Sequence, residues 1–185
     1  MRQAVSLDRA YRLLNHGPTV LVSSAHAGEA NVMAAAWNMP LDFTPPKVAV
    51  VIDRNTHTRG LIEASGQFTL SVPCHAQAAL TTAVGSCSGR DVDKAATLTG
   101  LVYAAASQVS APLVEGCVAW LECLVLREPH TEATYDLFLG EVVAAWADDR
   151  VFAGGRWDFT GHDELRTLHH VAGGHYFLPG EQVQG

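Results

Sequence analysis

Residues 136–146 read DLFLGEVVAAW, and this stretch decides the fold class. Apolar residues occupy its even positions as well as its odd ones, so a strand formed here is apolar on both faces. In a small barrel, one such face fills the interior and the other must meet a helix or a partner chain. The stretch therefore predicts a long, doubly covered strand of a β-barrel.

Other segments with strand-like patterns flank it. They are Thr19–Ser24, Ala30–Trp37, Val48–Ile52, Phe68–Val72 and Gly116–Arg127. Short helices are predicted after a capping Ser6 and at Thr56–Ser65, Ala76–Val84 and Asp91–Leu98, and Pro40, Pro45 and Pro46 mark a loop. Strands do not alternate regularly with helices, which argues against a doubly wound parallel sheet. We expect one mainly β domain with inserted helices over residues 1–185.

Composition excludes several classes of protein. The 185 residues are 48% hydrophobic and 17% charged, with a formal charge of −7 and lysine only at positions 47 and 94. Disorder, a nucleic-acid site and an anionic membrane surface are therefore not expected. No secretory signal is visible at the N-terminus, so a cytoplasmic protein is predicted. High apolar content with low charge also hints that part of the surface is buried against another subunit.

The cysteines and histidines do not show metal-site spacing. Cys74, Cys87, Cys117 and Cys123 form no CxxC pair, and disulfides are not expected without an export signal. We interpret Cys117 and Cys123 as small core residues on one face of a strand. The adjacent pair His169–His170 lacks zinc-site spacing, so no metal site is predicted.

Two cationic turns are candidates for binding a phosphate. One carries Arg54, His57 and Thr58, and the other carries Ser88, Arg90 and Lys94. Both precede predicted helices, whose N-termini offer free N–H groups and a positive dipole end to an anion. Helix capping combined with solvated surface arginines is the alternative interpretation, and composition alone favours it.

The segment Asn31–Trp37, which reads NVMAAAW, is a candidate surface for a flat aromatic ligand. Small side chains at Ala34, Ala35 and Ala36 would let a ring approach, and exposed backbone groups could meet its polar edge. A packed strand with a core Trp37 is the alternative.

Other chemistry has weaker support. No GxGxxG or GxxxxGK[ST] motif is present. Residues 85–89, GSCSG, match a cysteine form of the nucleophile elbow, but the elbow needs a strand directly before it. Since the preceding residues are predicted to be helical, a Cys87 hydrolase is disfavoured.

A series of landmarks resembles the flavin reductase-like family. In order they are Pro18–Ser24, Gly28, Asn31, Trp37, Asp42–Pro46, Val48–Ile52, Thr58, Gly66–Phe68, Val72–Pro73, Ser88–Lys94, Glu115–Ala119, Leu121–Cys123 and Gly140–Val143. They span residues 15 to 146, and the flavoredoxin-like branch looks closest. The resemblance implies an FMN-binding split β-barrel that forms a homodimer, with flavin at or near the subunit interface.

The resemblance also assigns residues. Asn31, Ala34, Ala35, Ala36 and Trp37 would line the flavin, and Tyr176 would lie near its ring. The phosphate and ribityl chain would be approached by Arg54, His57, Thr58, Ser88, Arg90 and Lys94. No catalytic residue is predicted, since a hydride step needs no protein acid or base.

Two functions follow as expectations. The first is an oxidoreductase in which NADH or NADPH reduces FMN and electrons pass to an acceptor. The second is a flavoredoxin-like electron carrier, serving a redox partner protein without NAD(P)H turnover of its own. The residues do not indicate which acceptor or which nicotinamide cofactor is used.

Overall fold

The computed structural model describes residues 1–185. The strands are β1 (Arg2–Ala4), β2 (Val20–His26), β3 (Glu29–Ala35), β4 (Asn38–Phe43), β5 (Pro46–Val51), β6 (Gln67–Val72), β7 (Tyr103–Ala104), β8 (Leu113–Val114), β9 (Ala119–Leu126), β10 (Leu137–Asp148), β11 (Phe152–Ala153), β12 (Arg156–Trp157), β13 (His169–Ala172) and β14 (His175–Phe177). The α-helices are α1 (His57–Ser65), α2 (Ala78–Ser86), α3 (Lys94–Thr97) and α4 (Pro129–Tyr135), and 3₁₀ turns cover Leu7–Leu13, His75–Gln77 and Asp163–Leu165. None of these helices combines the length and the apolarity needed to cross a bilayer.

The main sheet curls into a split barrel. Its antiparallel strands follow the order β3-β2-β6-β9-β10-β5-β4, and β1 pairs with the far end of β10. The two edge strands, β3 and β4, are joined through Ala36 and Trp37 alone, so three peptide steps of roughly 3.8 Å each link opposite edges. The sheet must therefore bend round on itself. No ladder joins β3 to β4, and the barrel is split at that seam.

The barrel wall is covered on both faces, as the two-sided apolar pattern predicted. Phe68, Leu70, Leu121 and Phe138 belong to a cluster of 26 buried residues. A second cluster lies on the other face of the wall, where Trp120 packs with residues of α2 and of the β7–β8 region. On β2, Val20 and Val22 join the first cluster while Leu21 joins the second, which is the alternation expected of a strand.

Gly140 allows β10 to pass close to the barrel interior. A Cβ built at this position would lie 2.5 Å from Cζ of Phe68. The absence of a side chain at Gly140 therefore makes room for the ring of Phe68, which is completely buried.

Three predictions of secondary structure were incomplete. The predicted proline loop contains strand β4, because Pro40 lies beside a bulge in an edge strand, where the missing N–H is tolerated. The predicted helix Asp91–Leu98 is reduced to α3, with Asp93 accepting a hydrogen bond from the N–H of Ala96. Helix α4 was missed altogether.

The cysteine prediction was half right. Cys117 and Cys123 are both buried core residues, and all four cysteines are free. They do not share a face. Cys117 precedes β9 and packs in the second cluster, with Trp120, while Cys123 lies on β9 and packs in the cluster of 26 residues.

Candidate functional site

Two adjoining clefts run along the seam of the barrel. The wide cleft has a volume of about 710 Å³ and extends from Trp37 to the β13–β14 hairpin. The narrow cleft has a volume of about 320 Å³ and lies between the N-terminus of α1 and residues 86–89. Both are bordered by Met33, Ala34, Gly85 and Ser86, so they form one continuous groove.

The narrow cleft begins at a close contact between β3 and the loop after α2. Asn31 is buried and donates from Nδ2 to Oγ1 of Thr58, at 2.9 Å. Gly89 lies so near that a Cβ there would fall within 2.3 Å of Oδ1 of Asn31. The structure thus brings together Asn31 and Thr58 from the first half of the predicted site and Gly89 from the second turn.

Lys94 supplies the cation of the narrow cleft. Its side chain is only 4% exposed, and Nζ donates to the carbonyl oxygens of Val32 and Val84, at 2.8 Å each. Burial lowers the pKa of this ammonium below its ordinary value, and the nearby Cys87 opposes that shift only in part. An ammonium has three donors, so one remains free. A buried cation without a counter-ion is costly, and an anion in the cleft would offset that cost.

The N-terminus of α1 faces the same cleft, which Asn55, Thr56, His57 and Thr58 line. Thr56, at the N-cap, makes no side-chain capping bond, because its hydroxyl donates instead to the carbonyl of Asp53. The first-turn N–H groups therefore have no side-chain cap. His57 lies at the rim, with Nε2 at 2.7 Å from Oε1 of Glu29.

The second cationic turn is hydrogen-bonded to the first. Ser88 lines the narrow cleft, and its Oγ accepts from the N–H of Arg90, at 3.1 Å. The Arg90 guanidinium donates to the carbonyl oxygens of Asn55 and Thr56, at 2.5 and 3.3 Å. Arg90 therefore links the two predicted turns through backbone carbonyls and does not line the cleft itself.

Arg54 is the predicted residue that the structure places apart from the others. Its guanidinium donates to the carbonyl of Ala133 and pairs with Asp136, at 3.0 and 3.2 Å. These contacts direct it towards α4, and it lines neither cleft. Arg54 was grouped with His57 and Thr58 because it is close to them in sequence. The side chain of Arg54 instead points away from the narrow cleft that those two residues line.

The wide cleft is lined by the alanine run and the tail. Ala34, Ala35, Ala36 and Trp37 form one wall. Tyr176, on β14, also lines this cleft, and its hydroxyl lies 3.1 Å from Oγ1 of Thr82. The apolar strip and the predicted tail tyrosine thus belong to one cavity.

Several cleft residues were missed from the sequence. They are Asp53, Thr81, Thr82, Tyr135 and His170. Thr81 and Thr82 could have been found, since two adjacent hydroxyls in an alanine-rich helix are a signal. His170 was considered from the sequence only as part of a zinc site; its ring packs edge-on against Tyr176 with centroids 5.5 Å apart.

Asp136 lines the wide cleft as a carboxylate whose negative charge is offset by arginines. Although desolvation acts to raise the pKa of this carboxyl, hydrogen bonds from Arg59 and Arg54 hold it below its ordinary value. Asp136 is therefore ionised at neutral pH and paired with two arginines.

The structure disfavours a Cys87 nucleophile on geometry. Helix α2, and not a strand, precedes Cys87, so the elbow is not formed. The thiol Sγ lies 3.4 Å from the carbonyl of Ala83. No cluster of three or more His, Cys, Asp and Glu side chains is placed to hold a metal ion.

With the groove and the split barrel in place, comparison with known proteins identifies the family. The sequence profile of the flavin reductase like domain matches residues 12–164. The chain belongs to the flavin reductase-like family. This flavin reductase-like chain is 47% identical, over 182 residues, to the uncharacterized protein YddH of Escherichia coli K12, covering 97% of this chain and 95% of YddH.

Solved structures show the same architecture. The chain is similar to the FMN-binding domain of a flavin reductases-like enzyme from Shewanella baltica OS155, with a TM-score of 0.97, 47% identity and coverage of 100% and 97% of the two chains. It is also similar to the flavoredoxin of Desulfovibrio vulgaris Miyazaki F, with a TM-score of 0.79, 26% identity and coverage of 91% and 90%.

Proposed function

We propose that this chain is a cytoplasmic FMN-binding oxidoreductase, which passes electrons from NADH or NADPH through bound FMN to an acceptor. One observation carries the proposal. Lys94, buried and without a counter-ion, closes the narrow end of a groove whose wide end is walled by alanines. A molecule with an anion at one end and a flat ring at the other suits both ends at once.

The narrow cleft suits a terminal phosphate. The free donor of Lys94 and the uncapped N–H groups of α1 would bind phosphate oxygens with charge-assisted hydrogen bonds. The hydroxyl of Ser88 and the ring of His57 border the same space. Asn31 and Thr58, which bond each other, would hold the start of the ribityl chain.

The wide cleft suits the ring. Ala34, Ala35 and Ala36 leave backbone accessible on one wall, and Trp37 and Tyr176 add aromatic surface. Residues of the tail hairpin β13–β14 also line the wide cleft. They would keep water from the flavin ring.

When bound, FMN would supply the redox chemistry, by accepting hydride from the nicotinamide and passing the electrons on to the acceptor. The part of the chain is to hold the phosphate at Lys94, to orient the ring against the alanine wall and to limit solvent access. No side chain is assigned as an acid or base.

Turnover of NADH and NADPH by the purified protein tests the enzyme proposal. With FMN present, we expect steady oxidation of at least one of the two nicotinamides, followed at 340 nm, on the absorption maximum of reduced nicotinamide. Bound FMN without turnover would instead support the flavoredoxin-like carrier. The carrier is the second candidate because the D. vulgaris flavoredoxin shares the fold over most of both chains. It would need a redox partner protein.

A homodimer is part of the proposal. Trp37 directly precedes the edge strand β4, and Met39, Leu41 and Phe43 are alternate residues of that strand; the four are 77, 52, 46 and 62% exposed. These four residues, the β4 stripe, form an apolar row on a sheet edge, where proteins normally avoid one. A second copy is the proposed cover. Since Trp37 also lines the wide cleft, the subunit interface would lie beside the flavin ring.

A further inference from the structure

Arg90 holds the two sides of the narrow cleft to each other. It follows Ser88 and Gly89 on one side, and its guanidinium donates to the carbonyls of Asn55 and Thr56 on the other. The backbone N–H of Arg90 is itself fixed by Ser88. These contacts join residues 35 and 34 positions apart in sequence, so the side chain of Arg90 bridges the two loops directly.

This geometry differs from that of a phosphate ligand. The planar guanidinium directs its five N–H donors in fixed directions, and one donor on each of Nη1 and Nη2 is engaged by a backbone oxygen. The side chain does not line the cleft, whereas Lys94 does. Lys94 is therefore the cation that would contact the anion. Arg90 instead links the two loops that border the narrow cleft.

Two further contacts border the narrow cleft. Gly89 lies against Asn31, with no space for even a methyl group. Lys94 is anchored to the carbonyls of Val32 and Val84. A ligand that continues beyond its phosphate on the side of Asn55 and Thr56 would have to part the two loops that Arg90 joins.

We propose that Arg90 is a clasp that makes the site selective for a flavin mononucleotide over a flavin dinucleotide. The inference rests on the proposed flavin function and adds a specificity-determining residue to it. A terminal phosphate ends inside the narrow cleft, while a diphosphate carrying an adenosine that extends past residues 55 and 56 requires the clasp to open. Discrimination then arises from an obstacle to the larger ligand rather than from a better contact with the smaller one.

Titration of FMN, FAD and riboflavin into wild type, Arg90→Ala and Arg90→Lys tests the clasp. Flavin fluorescence or calorimetry gives each Kd. In Arg90→Ala we expect FAD to bind more tightly than in wild type, and the FAD-to-FMN ratio of Kd values to fall by about tenfold or more. Arg90→Lys keeps the charge but not the planar two-carbonyl bridge, so it should also lose selectivity. Arg156→Ala, an exposed arginine on β12, is the matched control and should behave as wild type.

Each other outcome has a definite meaning. An unchanged FAD-to-FMN ratio in a folded Arg90→Ala protein overturns the clasp. Loss of FMN binding with unchanged riboflavin binding, and no gain in FAD binding, overturns it too, by making Arg90 a direct phosphate ligand. If Arg90→Ala does not fold, the ratio in Arg90→Lys decides in the same way. Failure of wild type to bind any flavin contradicts the proposed function itself and is distinguishable from all of these.

Discussion

Gly89 shows how one small residue shapes the site. Its Cα lies so close to Asn31 that any side chain would overlap the amide, at 2.3 Å from Oδ1 and 2.9 Å from Nδ2. Asn31 cannot move freely, because it is buried and bonded to Thr58. The glycine is thus required by a close approach and not by its backbone angle.

The Gly89→Ala variant should push the loop after α2 away from Asn31 on β3. We expect a loss of stability of roughly 1–3 kcal/mol, from overpacking, together with weaker flavin binding. Urea unfolding and FMN titration measure the two effects. Gly60→Ala is the matched control, since a Cβ there meets nothing and the position lies inside α1, where alanine should stabilise by roughly 0.5–1 kcal/mol. Equal stability of Gly89→Ala and wild type would contradict the close approach.

At the level of elements, a polar link joins the tail to His16, which lies between the first 3₁₀ turn and β2. Nε2 of His16 lies 2.9 Å from Oγ1 of Thr167, which lies 3.2 Å from Nε2 of His169. Burial, with a contribution from His169, lowers the pKa of His16 to about 4. Burial lowers the pKa of His169 as well. Both rings are therefore neutral at neutral pH.

This link should make the fold sensitive to mild acid. His16 titrates at about 4 when folded, from an ordinary value of 6.5. The unfolded chain takes up the proton first, so stability is complete above pH 6.5 and falls as the pH drops towards 4, by about 3 kcal/mol. Urea unfolding of wild type and His16→Gln between pH 7.5 and 4.5 measures the difference, in which the carboxylates cancel. Parallel curves for the two proteins would contradict the assignment.

The elements also show what the sequence could and could not provide. The buried strands β5 and β10 were predicted because burial on both faces leaves apolar residues at odd and even positions. Strand β4 was missed because Pro40, with Pro45 and Pro46 shortly after it, is typical of a loop, and only the position of β4 at a sheet edge makes Pro40 acceptable. The tail hairpin was missed because its packing against α2 depends on contacts distant in sequence, such as Tyr176 with Thr82.

On the scale of the whole molecule, the sequence predicted which residue types would bind but not their directions. Lys94 and Arg90 were expected to act alike, since both are cations in one turn. Folding instead buries Lys94 in the cleft and turns Arg90 towards carbonyls. Their directions depend on where β3 and α1 lie, which no local pattern encodes.

The β4 stripe predicts how the molecule assembles. Replacing Met39 and Leu41 together by aspartate places charge on the exposed apolar row without disturbing the barrel interior. We expect wild type to sediment as a dimer and the double variant as a monomer, with weaker flavin binding because Trp37 loses its cover. Leu7→Asp, an exposed leucine outside the stripe, is the control. A monomeric wild type would refute the dimer.

The central claim is that Lys94 receives the phosphate of a flavin mononucleotide, and paired titrations of FMN and riboflavin test it most directly. The wild type should bind FMN roughly 100-fold more tightly than riboflavin, and Lys94→Met should remove most of that difference while leaving riboflavin binding in place. Lys47→Met, which changes the other lysine of the chain, should keep the full difference. Equal affinities for FMN and riboflavin in wild type, or an undiminished difference in folded Lys94→Met, would contradict the account.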